Sequence, residues 1–427
     1  MAAETIDQNP ATAASPVENQ ERAQILDVLR GIAILGILLN NIYGFSGYAN
    51  LVEKSVKQIS TYKVDIFLNF LQVMFVEGKF YSLFSLLFGI GFSIILIKNQ
   101  RKGINALKIF YPRLLILLLI GAVHIYFMWE GDILLLYALI GLLLPLFRNC
   151  SNRALLVWAA VFILSPIAID AVKFWLQFEP GKFIQSAAES FDEKRGIVGE
   201  AWRTYLYGDS GWYEWWNYQQ TAFMYRYSSL LNNNRIPKVL GTFLLGFYAG
   251  RTMIYANLQQ YRSLLKKLVV WGVAIGLPFS FGMAWFATDG KQINNSLWGM
   301  ADTITYAFSV VPLALAYASG ICLLWLKAKE QGFLKIFAPV GRMALTNYLL
   351  QTVICVLLFY GAGLGFGQQY GLVYLLPIAI VIYIFQVMYS TVWLRYFRFG
   401  PFEWAWRSLT YWKRQPFIKE KSRLKGS

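Results

Sequence analysis

Histidine is almost missing from this chain: there is one, His124, in 427 residues. Cysteine is sparse as well. Cys150, Cys322 and Cys355 are scattered within or beside apolar segments, which argues against a disulfide framework and against a zinc site. Charged residues are few, at 15%, and acids are the scarcer sign, with 23 Asp+Glu against 39 Lys+Arg. No Walker loop, dinucleotide fingerprint, Gly-x-Ser-x-Gly elbow or zinc-ligand spacing occurs. Met1 to Ala23 has no basic n-region, so it is not a cleavable signal peptide. Its polar, acidic, Ala- and Pro-containing composition reads as a disordered cytoplasmic tail.

What the chain does have is apolar residues, 57% of the total, with 17% aromatics. They gather in runs of about 18 residues or more with few charges, the signature of membrane-crossing helices. The expected fold is all-α, a polytopic transmembrane bundle of about ten spans. These are Ile25–Tyr43, Phe80–Ile97, Arg113–Trp129, Ile133–Phe147, Ala154–Phe174, Val239–Tyr255, Leu268–Phe286, Ile304–Leu326, Met343–Phe359 and Leu372–Leu394. The fourth and sixth are short. Val64 to Val76 is apolar but carries Asp65, Asn69 and Gln72, and reads as an interfacial helix or a further buried segment. The organisation is a tail over 1–23, one helical domain over 24–411 and a basic cytoplasmic tail over 412–427.

The net charge of +16 sits in short loops, which makes it a topology signal and excludes nucleic acid as the partner. With the N-terminus inside, the cytoplasmic segments carry 26 Lys+Arg against 8 Asp+Glu, and the outside segments 13 against 15. An even number of spans therefore fits, with both termini cytoplasmic. The one long outside segment, 173–238, holds the aromatic stretch Tyr205 to Tyr218. That stretch reads either as an interfacial belt or as a platform for a sugar or lipid headgroup.

Ionisable groups inside a membrane cost roughly 2.5–3.5 kcal/mol each on insertion scales, so each asks for a reason. Asp27 and Arg30 share a helix face in the first span. They form either a cytoplasmic anchor or a phosphate contact at the inner face. Asn40 and Asn41, near the outer end, are suited to hydrogen bonds across helices or to a substrate. His124 falls about 16 Å of helix beyond Arg113, in the outer half of the third span. Glu130 and Asp132 follow in the tight turn. A histidine facing a carboxylate is a general-base arrangement, although a lone histidine also serves as a satisfied structural residue. Glu77 and Lys79 form a charged pair before the second span. On the ninth, Arg342 and Thr346, then Asn347 and Gln351, make polar stripes at spacing four. Glu403 and Arg407, also four apart, read as a pair in an interfacial aromatic anchor.

Several blocks together resemble the YeiB-like family of uncharacterised bacterial membrane proteins. They are Leu26-Asp27-x-x-Arg30-Gly31, the Glu77-Gly-Lys79-Phe region, and His124 followed by Trp129-x-Gly131-Asp132-Ile-Leu-x-x-Tyr137-Ala. Later come Gly341-Arg342-Met-Ala-Leu-Thr346-Asn347-Tyr348 and Gly400-Pro401-x-Glu403-Trp404-x-x-Arg407. The resemblance covers nearly the whole chain after residue 20. The family is grouped with transmembrane acyltransferases, similar to the lysosomal enzyme that acetylates heparan glucosamine and to bacterial O-acetylases.

The resemblance implies transfer of an acetyl-like group from cytoplasmic acyl-CoA to a hydroxyl or amine on the far side, with an intramembrane histidine at the centre. On that expectation His124 is the base, Asp132 or Glu130 orients it, and Arg30, Arg113 and Arg342 hold the CoA phosphates. Asn40, Asn347 and Lys79 are candidates for substrate or oxyanion contacts. No metal is expected. The expected partners are the bilayer, acyl-CoA and an acceptor that is a glycan, lipid or small molecule, with a homo-oligomer allowed. The expected location is the bacterial inner membrane. A transporter or flippase using the same polar residues is the alternative, and a non-catalytic scaffold or sensor the third reading.

Overall fold

The computed structural model describes residues 24–51, 53–288, 296–328 and 332–419. The expected tail over 1–23, and residues 420–427 of the basic tail, lie outside the described residues. The principal helices are α1 (Gln24–Phe45), α2 (Tyr62–Phe75), α3 (Lys79–Arg101), α4 (Leu107–Phe127), α5 (Leu134–Gly141), α6 (Asn152–Leu176), α7 (Trp212–Asn232) and α8 (Arg235–Arg251). They continue with α9 (Arg262–Thr288), α10 (Leu297–Lys327), α11 (Ala338–Arg342), α12 (Ala344–Phe359), α13 (Leu372–Tyr396) and α14 (Pro401–Thr410). No strand occurs among the described residues, only an isolated antiparallel bridge between Phe397 and Ile418.

Seven helical runs are long and apolar enough to cross a membrane, and an eighth if the pair Phe333–Arg342 and Ala344–Phe359, bent by 82°, counts as one span. The chain is a multi-pass membrane bundle. Each of the ten expected spans lands on a helix, but two are too short to count. Ile133–Phe147 stops as an α-helix at Gly141 and ends in a 3-10 turn over Leu144–Phe147, where Pro145 has no N–H to donate. Val239–Tyr255 is replaced by the 17 residues of α8. Conversely, the Val64–Val76 segment is α2. With α3 it forms one 40-residue apolar run, Tyr62–Arg101, broken at Val76–Gly78.

Burial along α4 shows how such a helix sits. Leu115, Leu119, Val123 and Phe127, four apart, are exposed, while Leu114, Leu117, Gly121, His124 and Ile125 are buried. The first stripe is an apolar face that only lipid can satisfy, and the second turns His124 inward.

Close backbone approach fixes the basic end. A Cβ at Gly31 would collide with the carbonyl of Phe337, and one at Gly341 with the carbonyl of Asp27. Glycine on both sides lets α1 and α11 cross with their main chains in contact. That crossing brings Arg30 and Arg342 to one place. The 82° break at Met343 exposes the first N–H groups of α12, and Glu403 at the start of α14 accepts them: Leu345 N at 2.7 Å and Thr346 N at 3.0 Å, with the Thr346 hydroxyl at 2.6 Å. A half-buried carboxylate satisfies orphan donors and complements the helix dipole there. The Glu403 carboxylate thus serves the start of α12, a role outside the expected pairing with Arg407. Asp65 on α2 does the same for α13, accepting from Val373 N at 3.0 Å.

The long segment 173–238 is helical, through Lys182–Glu193, Trp202–Leu206 and α7. Its aromatic stretch divides. Trp212 and Tyr213 are exposed, as an interfacial belt requires. Leu206, Tyr207 and Trp215 are buried and close the end of the bundle, with Gly361 N bonded to the Leu206 carbonyl and the Tyr207 hydroxyl to the Gly44 carbonyl.

Candidate active site

His124 lies in the last turn of α4, and Asp132 stands just before α5. Gly121 lets the two helices close: a Cβ there would strike the backbone of Leu135. Asp132 then divides its carboxylate. Oδ1 accepts the Leu135 N–H at 2.7 Å, capping α5, and Oδ2 meets His124 Nδ1 at 2.8 Å. The other ring nitrogen, Nε2, is 2.9 Å from the Thr352 hydroxyl on α12. All three residues are buried. With Asp132 ionised, Nδ1 carries the proton and Nε2 accepts from Thr352. The row Asp132–His124–Thr352 links α5, α4 and α12.

Glu130 does not share the role expected of it. Its carboxylate receives the Tyr218 hydroxyl at 3.3 Å, and the hydrogen bond to the imidazole Nδ1 comes from Asp132. Burial pushes the Glu130 carboxyl up, while the bond from Tyr218 and the positive charge of Arg226 pull it down. The geometry selects Asp132 as the group that orients His124.

Two cavities meet near the imidazole. One, of about 270 Å³, opens at the basic end. Its lining includes Arg30, Arg113 and Arg342, the three arginines assigned to one ligand, joined by Trp406 and Arg407. Arg30 binds Asp27 at 2.9 Å, and the Arg113 guanidinium lies 3.8 Å over the Trp406 ring, whose Nε1 donates to the Arg113 carbonyl. Deeper in, the walls are apolar, with Ile34, Leu117, Phe84 and Phe88. The second cavity, of about 930 Å³, lies at the opposite end and is lined by Asn40, Asn41, Gln72, Trp129, Arg226 and Arg235, among others. Ile37, Ile133 and Tyr348 belong to the walls of both. His124 lines neither. The Tyr348 ring stands between it and the open space, 5.2 Å from the imidazole centroid.

The remaining candidates separate. Asn40 faces the larger cavity and accepts from Gln72 Nε2 at 3.1 Å. Asn347 is buried between α12 and α13, donating to Ser390 at 2.9 Å and to the Val340 carbonyl at 3.3 Å, away from both cavities. Lys79 is fully buried with its Nζ on the Val73 carbonyl at 2.8 Å, where it ties the broken α2–α3 run together. Both have structural partners, and neither reaches His124. Reading the residues in order missed Thr352, Arg226 and Arg235, and named Tyr348 within a block without giving it a role in the site. Thr352 continues the polar stripe of Thr346 to Gln351 by one step. The two arginines lie in a segment read as an outer loop and belong to no motif block. Among the described residues no group of three or more His, Cys, Asp or Glu is placed to hold a metal.

Residues 249–413 match a family described as "Protein of unknown function (DUF418)". The chain is 31% identical over 412 residues to the uncharacterized protein YxaH of Bacillus subtilis (strain 168), covering 95% of this chain and 98% of that one. It is 30% identical over 425 residues to the uncharacterized protein YeiB of Escherichia coli (strain K12), covering 94% and 100%. An uncharacterized 39.9 kDa protein from the amylase 3' region of Bacillus acidopullulyticus is 29% identical over 412 residues. No solved structure matches.

Proposed function

The chain belongs to the YeiB-like family of uncharacterised membrane proteins, and for it we propose acyl transfer across the bilayer, from acyl-CoA at the cytoplasmic face to a hydroxyl or amine at the outer face. The observation that carries this reading is the pair of cavities set back to back, one ringed at its mouth by Arg30, Arg113 and Arg342, with His124 behind their shared wall. Guanidinium groups suit the phosphates of CoA, and the apolar interior suits an acyl-pantetheine arm. The acceptor occupies the larger cavity. The membrane is the bacterial inner membrane.

His124 Nε2 is the basic nitrogen, because Nδ1 keeps its proton and donates it in a hydrogen bond to Asp132. Nε2 already accepts from Thr352, so the acceptor's proton reaches it either by displacing that hydroxyl or through it. The acceptor oxygen or nitrogen attacks the thioester carbonyl, and the C–S bond breaks. The proton held by His124 passes to the departing thiolate, leaving an acylated acceptor and free CoA. Asp132 stabilises the imidazolium in between. Asn40, on the cavity wall, is the nearer candidate for an oxyanion donor than Asn347.

The test is acyl-CoA binding and CoA release with purified full-length protein in detergent. Arg30→Ala weakens acyl-CoA binding by about tenfold or more, as loss of a charge-assisted contact predicts. His124→Ala keeps binding and loses transfer. Absence of acyl-CoA binding by a folded sample ends this reading. It would favour the second, a transporter, which the thin three-residue wall between opposed cavities also supports. Substrate flux in sealed vesicles is that reading's measurement.

A further inference from the structure

The larger cavity carries charge of an unusual kind. Arg226 on α7 and Arg235 at the start of α8 both line it. The Nε atom of Arg226 is buried and has no hydrogen-bond partner, and no carboxylate among the described residues forms an ion pair with that guanidinium. Burial, and then the charge of Arg235, push the Arg226 guanidinium below its usual value, while the more distant carboxylates of Asp132 and Glu130 pull the other way without forming an ion pair. Arg235 is held by aromatic groups: its Nη1 donates to the Tyr306 hydroxyl at 3.1 Å, and its guanidinium lies 4.4 Å from the Tyr81 ring centroid. It too has no ion-paired carboxylate among the described residues. Glu77 is the acid in the described walls of this cavity, one negative charge against two positive.

A half-buried cation without an ion-paired carboxylate is costly, and two lining one cavity are more so. A protein keeps such a pair where a ligand supplies the anion. Around the arginines stand Asn40, Asn41 and Gln72, which match hydroxyl groups.

We propose that the outer cavity binds an anionic, hydroxyl-bearing headgroup, a phosphate or carboxylate joined to a polyol or sugar, through Arg226 and Arg235. The inference rests on reading this cavity as the acceptor's chamber, and it names the acceptor's chemical class.

The experiment is calorimetric titration of the full-length protein in detergent, without any acyl-CoA, using glucose 1-phosphate and glucose as probes. Glucose 1-phosphate binds saturably, and glucose binds roughly tenfold or more weakly, as a charge-assisted contact predicts. Arg226→Gln brings the two probes level. Arg226→Lys keeps part of the difference, since the charge remains but the forked donor is lost. Comparing nanodiscs of phosphatidylglycerol with nanodiscs of phosphatidylcholine then identifies the source of the headgroup. Weaker glucose 1-phosphate binding in phosphatidylglycerol indicates a lipid headgroup, and equal binding indicates a soluble or glycan anion. Both results support the site.

Equal binding of the two probes by wild-type protein overturns the proposal, with no variant needed. So does no binding of glucose 1-phosphate. Loss of that binding in Arg30→Ala with retention in Arg226→Gln would place the anion in the other cavity and also overturn it. Because acyl-CoA is absent, a negative result leaves acyl transfer standing, and failure of acyl-CoA binding leaves this site standing.

Discussion

The two cavities place their arginines in opposite circumstances. At the basic end Arg30 is paired with Asp27 at 2.9 Å and Arg113 is stacked on Trp406 at 3.8 Å, so the chain itself holds each side chain in place. At the opposite end Arg235 rests on the Tyr81 ring and the Tyr306 hydroxyl, Arg226 has a buried Nε without a hydrogen-bond partner, and neither has an ion-paired carboxylate among the described residues. A cation with an internal partner contributes to the fold with or without ligand. A cation without one adds strain until a ligand arrives. The difference teaches which end is pre-organised and which awaits its counter-charge.

The largest effect is expected behind the wall between the cavities, at the Asp132 carboxylate that serves both His124 and the start of α5. Asp132→Ala leaves His124 Nδ1 and Leu135 N buried without their acceptor. Two unsatisfied buried donors cost about 3 kcal/mol together. A clear drop in detergent melting temperature and loss of acyl transfer should follow. A melting temperature equal to wild type would mean that the α4–α5 turn does not depend on this cap.

The comparison itself is tested by removing one arginine from each end in the absence of ligand. Arg30→Ala takes a partner from the buried Asp27, at a cost of about 2 kcal/mol. Arg226→Gln removes a cation that has no ion-paired carboxylate, and stability stays within about 0.5 kcal/mol or rises. Paired thermal melts check this. Equal destabilisation by both substitutions would erase the distinction between the ends.

The sequence carried the periodic part of this structure and hid the part built by distant contacts. Long apolar runs located every spanning helix, because lipid imposes one requirement on each of them alone. The count was less legible. Pro145 cuts one run short, and the α2–α3 run is interrupted at Gly78, whose φ of +81° suits glycine. The caps in trans were invisible locally: nothing near Glu403 says that it serves Leu345, and nothing near Asp65 says that it serves Val373. In the site, His124 and Asp132 were readable because eight residues and one tight turn join them. Thr352, 228 positions from His124, was not. Arg226 escaped because its segment has the polarity of a loop, and only the folded chain turns it into a cavity wall.

Thr352 gives the smallest expected effect and sharpens the comparison most. It keeps the imidazole's basic nitrogen satisfied while Tyr348 separates the ring from both cavities. Thr352→Val is close in shape and removes one hydroxyl, so stability falls by about 1 kcal/mol or less. If the hydroxyl only holds the place that an acceptor later takes, the variant transfers acyl groups within a few-fold of wild type, because Nε2 is easier to reach. That is the expected result, since Nε2 is the basic atom and the hydroxyl only occupies it. A fall of about a hundredfold, restored by Thr352→Ser, would instead make the hydroxyl a proton relay of the size general acid–base steps supply. The acceptor would then stay on the cavity side of Tyr348, and His124 would act without touching it.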